Sequence, residues 1–534
     1  MLHLPNAHGW GGVPGPWQIS LTLSFALVCI VSVLVGLVAV ARPEGGLLGL
    51  ALVVLLVFVR VITPVNKLVA LASFAFVLTV YSIVATYTEG DTSFLAAGLL
   101  PALVAGTFLV KRNDRRLDLF SPFVLTCMGF LLAFGWVGLE LLKDSDIPRR
   151  FLTHALWYVN LGFVLFLAGY QTVLGRILGR KVWLPGDEWS ASRIRRAFLG
   201  CTFLGLFLFL LLERLAGYSS LLGPLENVYQ FRVATLGGLS YIVYLVLFFF
   251  QTASVLLLVG VLRMPHRRAV HVVQVPIFVL CVCAVFWLFA SRFMFVNLMG
   301  GLLICIHYLK RQLRLVEIVV VGFLLMLFAS AYGLYRDVGY RWQTSGQAQE
   351  EFARLEIRES VLGRLDALAR LTTVLQHPPR YDPATVVLGI LMRPIPRQWA
   401  PKKPYASPGE ITRVLWPDVA DWGVTLEPSI FGELYFDFGI FGIIFGMIVY
   451  GVLVRALQTY FEGKVRRADF LLHYSLIFLV PIRILLGGFD SGGMLDLIVF
   501  TLGAWAVLWY LSWGMPRHVA KSALLTVPSP MAKG

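Results

Sequence analysis

Long apolar stretches alternate with short polar connections along most of the chain, from residue 19 to residue 514. A helix needs about 20 mainly apolar residues to cross the hydrocarbon of a bilayer. Fourteen such stretches occur, near residues 19–41, 46–62, 67–87, 92–110, 119–142, 151–174, 197–217, 238–262, 270–290, 292–309, 314–335, 429–457, 469–486 and 494–514. The pattern predicts an all-α polytopic integral membrane protein with about 14 transmembrane helices.

One connection is much longer than the others and lies late in the chain. It separates predicted helices 11 and 12 and covers residues 336–428. The predicted organisation is therefore residues 1–335 with helices 1–11, residues 336–428 as a large, partly helical loop, and residues 429–534 with helices 12–14 and a tail.

The composition supports this class and excludes others. Hydrophobic residues make up 58% of the chain and charged residues only 14%, too little charge to cover a soluble surface. The net charge of +15 is therefore explained by membrane topology and anionic lipid, and no nucleic acid is expected as a partner. The six cysteines all fall inside predicted helices without zinc-ligand spacing, so neither a metal site nor an outer disulfide is expected.

Positive charges indicate the orientation. Placing the N-terminus in the cytoplasm leaves 25 Lys or Arg residues on the cytoplasmic side and six in the short outer loops. Because Lys and Arg near helix ends stay inside, both termini are predicted to be cytoplasmic. The large loop then lies on the outer face, where its own twelve Lys and Arg residues are largely exempt from this rule.

Residues 347–376 of this loop space their leucines as an amphipathic helix does, and Pro378 and Pro379 are expected to stop it. Such a helix either packs on the ends of the membrane helices or rests on the outer membrane surface. After it, prolines alternate with cations over residues 377–404. Phosphate groups suit these stiffly presented cations, and contact with anionic lipid headgroups is the simpler alternative.

Several charged residues are predicted at the outer boundary of the membrane or within it. Glu433 and Asp437 lie four residues apart, on one face of predicted helix 12, and Arg483 is the lone arginine of helix 13. Arg292 begins helix 10, and Arg232 lies in the predicted loop before helix 8. Charges at membrane depth indicate either a polar functional cavity or salt bridges that pair helices.

Two segments carry a family resemblance. PIPRQWAPKKP, followed about two dozen residues later by SIFGELYFDFGIFG, resembles the bacterial oligosaccharide repeat-unit polymerases, the Wzy-type O-antigen polymerase family. The matching residues are Pro396, Arg397, Trp399, Lys403, Pro404, Gly432, Glu433, Tyr435, Phe438 and Gly439, and Arg292 and Arg483 resemble arginines of the family's flanking helices.

The resemblance implies a glycosyltransferase of the bacterial inner membrane that joins polyprenyl-diphosphate-linked oligosaccharide units on the periplasmic face. Donor and acceptor are both lipid-linked, a chain-length regulator and a flippase are further partners, and no cofactor or metal is required. Fixed cations would stabilise the departing diphosphate. Arg292, Arg397, Lys403 and Arg483 are first expected in this role, and Arg232 and Arg393 second.

The base that accepts the proton of the attacking hydroxyl is expected to be Glu433 or His377. Trp399 is a candidate for stacking on sugar, and Tyr435 and Asp437 complete the expected substrate-binding residues. Two other functions fit the same features. An O-antigen ligase would use the same donor with a lipid-A core as acceptor, and a transporter of polysaccharide or lipid-linked sugar would form no bond.

Overall fold

The structure is a computed structural model that describes much of residues 93–513. Its gaps are at residues 114–117, 143–146, 183, 185–188, 217–224, 264–268, 289–291, most of 315–366, 381–391, 393–406, 418–419, 421–424, 463, 466 and 490–491. Predicted helices 1–3 lie outside the described residues, as does more than half of helix 11.

The described chain is helical, without strands in those residues. The helices are α1 (Ser93–Asn113), α2 (Pro122–Leu141), α3 (Arg149–Gln171), α4 (Val173–Lys181), α5 (Ala191–Ala216), α6 (Leu225–Arg263), α7 (Ala269–Leu288), α8 (Arg292–Leu309), α9 (Ala367–Val374), α10 (Ser407–Leu415), α11 (Ser429–Phe461), α12 (Ala468–Ile477), α13 (Val480–Gly487) and α14 (Gly492–Ser512).

Six segments of the described chain are long and apolar enough to cross a membrane. They are Pro122–Leu141, Arg149–Gln171, Ala191–Arg214, Ile242–Arg263, Ser429–Phe461 and Ala468–Gly487. Shorter apolar helices lie at Ala96–Ala105, Val273–Phe286, Met294–Leu309 and Leu497–Ser512. An all-helical membrane architecture is thus supported, and the total of fourteen crossings stays a prediction.

Predicted helix 12 is a helical hairpin and not the single straight helix that its hydropathy indicates. Gly439 has φ 63° and ψ −153°, a conformation open essentially to glycine alone, and it divides α11 into a short arm (429–438) and a long arm (440–461). A Cβ on Gly446 would lie 3.1 Å from Leu434 Cγ. In a straight helix these two residues would be about 18 Å apart. The short arm therefore folds back along the long arm.

Predicted helix 13 is also interrupted, because a turn at residues 478–479 separates α12 from α13. A second correction concerns Arg232, which was expected in a loop. It lies within α6, which begins at Leu225, well before the apolar stretch that marks the predicted crossing. Hydropathy locates the apolar part of a helix but not a polar extension of it, so the boundary was misplaced.

The long arm packs closely on α3 and α4 through glycines. A Cβ on Gly169 would collide with the carbonyl oxygen of Ile448, and one on Gly451 would collide with that of Phe166. On α4, a Cβ on Gly179 would collide with the carbonyl oxygen of Ala456. Small residues let helix backbones approach in this way, as is common between membrane helices.

Connections predicted on the cytoplasmic side gather at one end of the bundle. The hydroxyl of Tyr308, at the end of α8, donates a 2.6 Å hydrogen bond to Asp118, in the connection before α2. Lys464, between α11 and α12, donates a 2.9 Å hydrogen bond to the carbonyl oxygen of Val182, which follows α4. Each of these two contacts thus joins connections that are predicted to lie on the same side, and the orientation in the membrane stays a prediction.

Two helices of the large loop pack on the other end of the bundle. Leu368 of α9 lies against Gly138 of α2, where a Cβ would be 3.4 Å from its Cδ2. Val374 of α9, Ile411 of α10 and Phe436 of the short arm form a small buried cluster. Of the amphipathic helix predicted over residues 347–376, the described part, α9, thus packs on its neighbours. It ends at Val374, shortly before the two prolines.

Candidate functional site

The short arm is buried nearly all round, and it carries an acidic side chain into the bundle. Glu433 is 3% exposed and Asp437 4% exposed, and the neighbouring Ile430 and Phe431 are fully buried. Phe431 fixes the depth of the arm, since its ring packs edge to face on Phe134 with centroids 5.3 Å apart. The predicted pair of carboxylates on one helix face is therefore present, and it is buried.

The carboxylate of Glu433 lies directly against the backbone of Gly488. A Cβ on Gly488 would collide with Glu433 Oε2 and would lie 2.7 Å from its Cδ. Gly488 has φ 101° and ψ 172° and ends α13, where its N–H donates a 2.8 Å hydrogen bond to the carbonyl oxygen of Ile484. Glycine is required here for two reasons, because the φ is positive and because the carboxylate occupies the space of a side chain.

Arg483 lies on α13, five residues before Gly488, and is partly buried. Its Nη2 is 3.5 Å from the hydroxyl of Tyr244 on α6, a long hydrogen bond. The break before α13 is held by Tyr450 of the long arm, whose hydroxyl donates a 2.7 Å hydrogen bond to the carbonyl oxygen of Pro481. The hairpin and α13 together thus bring the Glu433 carboxylate to the segment that carries Arg483.

An aromatic pair lies on the same arm. Tyr435 is half-buried, and its ring centroid is 5.9 Å from that of Tyr158 on α3. Tyr435 also packs against the buried cluster that joins the short arm to α9 and α10. Tyrosine rings of this kind offer an apolar face and a hydroxyl to a polar ligand such as a sugar.

The large loop packs over the short arm and hydrogen-bonds to a backbone carbonyl group that has no partner within the helix, because the helix turns at Gly439. The backbone N–H of Arg380 donates a 2.6 Å hydrogen bond to the carbonyl oxygen of Phe436, in the last turn of the arm. The Arg380 side chain pairs with Glu410 of α10, Nη1 to Oε1 3.1 Å. Because a helix end needs partners for its carbonyl groups, this contact ties the loop to the arm.

His377, the second candidate base, lies on the large loop and away from Glu433. It is exposed just after α9, and its Nδ1 is 3.2 Å from the carbonyl oxygen of Thr373 in its own helix. Three residues earlier, Val374 lies beside Gly432, where a Cβ would be 3.5 Å from its Cγ2. The structure therefore places Glu433 inside the bundle and His377 on the surface of the loop.

The remaining predicted site residues, five cations and Trp399, have side chains outside the described residues. Arg292 is the first residue of α8 and Arg232 lies in α6, with side chains outside the described residues. The loop residues Arg393, Arg397, Trp399 and Lys403 lie wholly outside the described residues. Their roles stay predictions.

The described arrangement brings a buried carboxylate to the helix segment that carries a partly buried guanidinium, and a tyrosine hydroxyl lies beside that guanidinium. A carboxylate so held can accept a proton from a hydroxyl group, while a fixed guanidinium can stabilise developing negative charge. Within the described residues, no three His, Cys, Asp or Glu side chains are grouped so as to hold a metal ion. The five described cysteines, Cys127, Cys201, Cys281, Cys283 and Cys305, are free thiols.

The sequence interpretation missed two residues of the candidate site, Gly488, which contacts Glu433, and Tyr244, which contacts Arg483. The glycine-rich segment GGFDSGG after α13 was the available signal for a tight backbone approach, whereas nothing distinguishes Tyr244 from other tyrosines of apolar helices. Comparison with protein-family models, with curated proteins and with solved structures finds no match to the chain.

Proposed function

We propose that this protein is a membrane glycosyltransferase that polymerises polyprenyl-diphosphate-linked oligosaccharide units at the outer face of the bacterial inner membrane. The observation that carries the proposal is the burial of Glu433 against Gly488, beside the segment that holds Arg483. The motif resemblance had singled out both charged residues, and the proposal gains support because a hairpin and a broken helix bring their segments together.

In the proposed reaction, Glu433 accepts the proton of the attacking sugar hydroxyl, and the new glycosidic bond forms as the bond to the lipid diphosphate breaks. Arg483 stabilises the negative charge of the departing diphosphate, together with Arg292, Arg397 and Lys403. Tyr435 contacts sugar. The loop helices α9 and α10 cover the site, which limits access of water to the reacting atoms.

The test is incubation of the purified protein in lipid with a synthetic polyprenyl-diphosphate oligosaccharide, followed by separation of products by length. The wild type is expected to form a ladder on the carrier. Glu433→Gln is expected to lower turnover about 100-fold or more, as loss of a general base does. The matched control is Glu213→Gln, the same change at an equally buried glutamate of α5, and it is expected to retain turnover.

Arg483→Ala and Arg397→Ala are expected to abolish the ladder. Near-wild-type turnover of a folded Glu433→Gln variant would remove Glu433 from the mechanism. A single transfer to lipid-A core in place of a ladder would identify a ligase. Absence of any bond formation, with accumulation of unflipped units in a deletion strain, would identify a transporter.

A further inference from the structure

A second polar cluster lies at the far end of the long arm from Glu433, where α4 packs on α11. The side chain of Arg455 lies against Gly175. A Cβ added to Gly175 would be 2.7 Å from Arg455 Cβ and 2.9 Å from Arg455 Cγ. Its Nη1 donates a 3.1 Å hydrogen bond to the hydroxyl of Tyr170, and its guanidinium lies 5.0 Å from the centroid of that ring. The next residue of α4 is Arg176, whose guanidinium is near enough to Arg455 to feel its positive charge.

Positive charge is in excess in this cluster. Partial burial and the nearby charge of Arg455 lower the pKa of the Arg176 guanidinium, as expected for like charges held together, and Arg180 adds to the effect. The carboxylate of Glu462 pairs with Arg455, with Oε1 3.7 Å from Arg455 Nη1, and its side chain is 48% exposed. Among the described residues, Arg176 and Arg455 thus both interact with the Glu462 carboxylate, and Arg180 adds a third positive charge.

Three buried donors of the cluster lack an acceptor. Arg176 Nε, Arg455 Nε and Thr459 Oγ1 are buried and have no hydrogen-bond partner among the described residues. Thr459 lies one turn after Arg455 and packs on α4, where a Cβ on Gly179 would be 2.8 Å from Thr459 Cβ. A buried donor without an acceptor is costly, so a ligand rich in oxygen acceptors and negative charge suits this seam.

The surroundings of the cluster are apolar and accessible from the side. Exposed apolar side chains lie on both helices, Leu174, Ile177 and Leu178 on α4 and Phe441, Phe445 and Val449 on α11. On the long arm, Phe441, Phe445 and Val449 are spaced four residues apart, so they form a stripe along one side of the helix. The stripe runs from near Arg455 toward the turn at Gly439. A ligand with a charged head and a long apolar tail fits these two surfaces together.

We propose that Arg176, Arg455 and Thr459 form a binding site for the phosphate group of an anionic lipid. Two arginine forks and a hydroxyl surround the phosphate oxygens, and the acyl chains lie along the exposed stripe of the long arm. The site is separate from the Glu433 region and does not depend on the proposed glycosyltransferase activity.

Native mass spectrometry of the purified full chain tests this site with phosphatidylglycerol, phosphatidylcholine of the same acyl chains, and inorganic phosphate. Phosphatidylglycerol is expected to bind the wild type. Arg176→Gln and Arg455→Gln are each expected to weaken that binding about tenfold or more, the usual effect of losing a charge-assisted hydrogen bond. The matched control Arg196→Gln changes an exposed arginine of α5 and is expected to bind as the wild type does.

Each variant is first compared with the wild type by gel filtration and thermal melting in detergent without added lipid. Should Arg455→Gln fail to fold, Arg176→Gln decides the question, because Arg176 lies on the short helix α4, which is not one of the candidate membrane crossings. Unchanged phosphatidylglycerol binding by folded Arg176→Gln, or equal binding of phosphatidylcholine, would overturn the proposal. Competition by inorganic phosphate at the lipid's own concentration would assign the cluster to free phosphate and overturn the lipid assignment.

Discussion

The hairpin at Gly439 can be tested by a disulfide between its arms, introduced with Leu434→Cys and Gly446→Cys. Leu434 Cγ is 3.1 Å from where a Cβ of residue 446 would be, so its own Cβ, one bond further, lies within about 4.6 Å. Disulfides need Cβ atoms about 3.5–4.5 Å apart. In a straight helix the two residues would be about 18 Å apart, far beyond that reach. The change also relieves crowding, because the leucine atoms that contact residue 446 are removed.

The assay counts thiols after mild oxidation in native membranes, followed by denaturation and labelling with a maleimide that increases mass. The pair is expected to lose two reactive thiols relative to its reduced form, and mass spectrometry should find the two peptides joined. Leu434→Cys with Leu453→Cys is the matched control, since residue 453 lies about two turns further along the long arm and should stay unlinked. Two free thiols in a folded 434–446 variant would show that α11 does not fold back.

Three further predictions concern the site, the opposite end and the chemistry. Gly488→Ala should destabilise the protein by about 2 kcal/mol or more, because it combines a strained φ with a collision at Glu433. Gly200→Ala, which meets no atom within 4 Å in the interior of α5, should not lower the melting temperature in detergent. An unchanged melt for Gly488→Ala would contradict the described contact. Tyr308→Phe should lower the free energy of unfolding by about 1–3 kcal/mol in the same melts, because Asp118 loses this hydrogen-bond donor. An unchanged melt would show that water replaces the tyrosine hydroxyl at no cost. The proposed polymerising activity should survive EDTA, and loss of turnover that magnesium or manganese restores would refute metal-independent catalysis.

Much of the fold follows from hydropathy for a simple reason. Backbone polar groups cannot stay unpaired in hydrocarbon, so each apolar stretch must form a helix, and the described stretches do. The turn at Gly439 was not predictable in this way. Glycines at residues 432, 439, 442 and 446 suit a closely packed straight helix as well as a hairpin, and only the folded chain distinguishes the two, by the φ of Gly439 and the contact of Leu434 with Gly446.

The candidate site was predictable in part. A carboxylate within an apolar segment must be buried with polar neighbours, so Glu433, Asp437 and Arg483 could be selected by residue type alone. Gly488 could not, because its role depends on where the α13 backbone meets the short arm. The seam between α4 and α11 was missed because α4 is too short and too basic to resemble a membrane crossing.

The fold-back of α11 also bears on how this segment matches the thickness of a bilayer. As one straight helix, Ser429–Phe461 would be about 50 Å long, well beyond the roughly 30 Å of hydrocarbon that a membrane offers. Such an excess would require strong tilt or local thickening of the lipid. With the turn, the long arm alone measures about 33 Å and suits a single crossing. The surplus third folds back along the long arm, so the segment can bury two acids beside one helix of crossing length and needs no excess of hydrocarbon thickness to hold them.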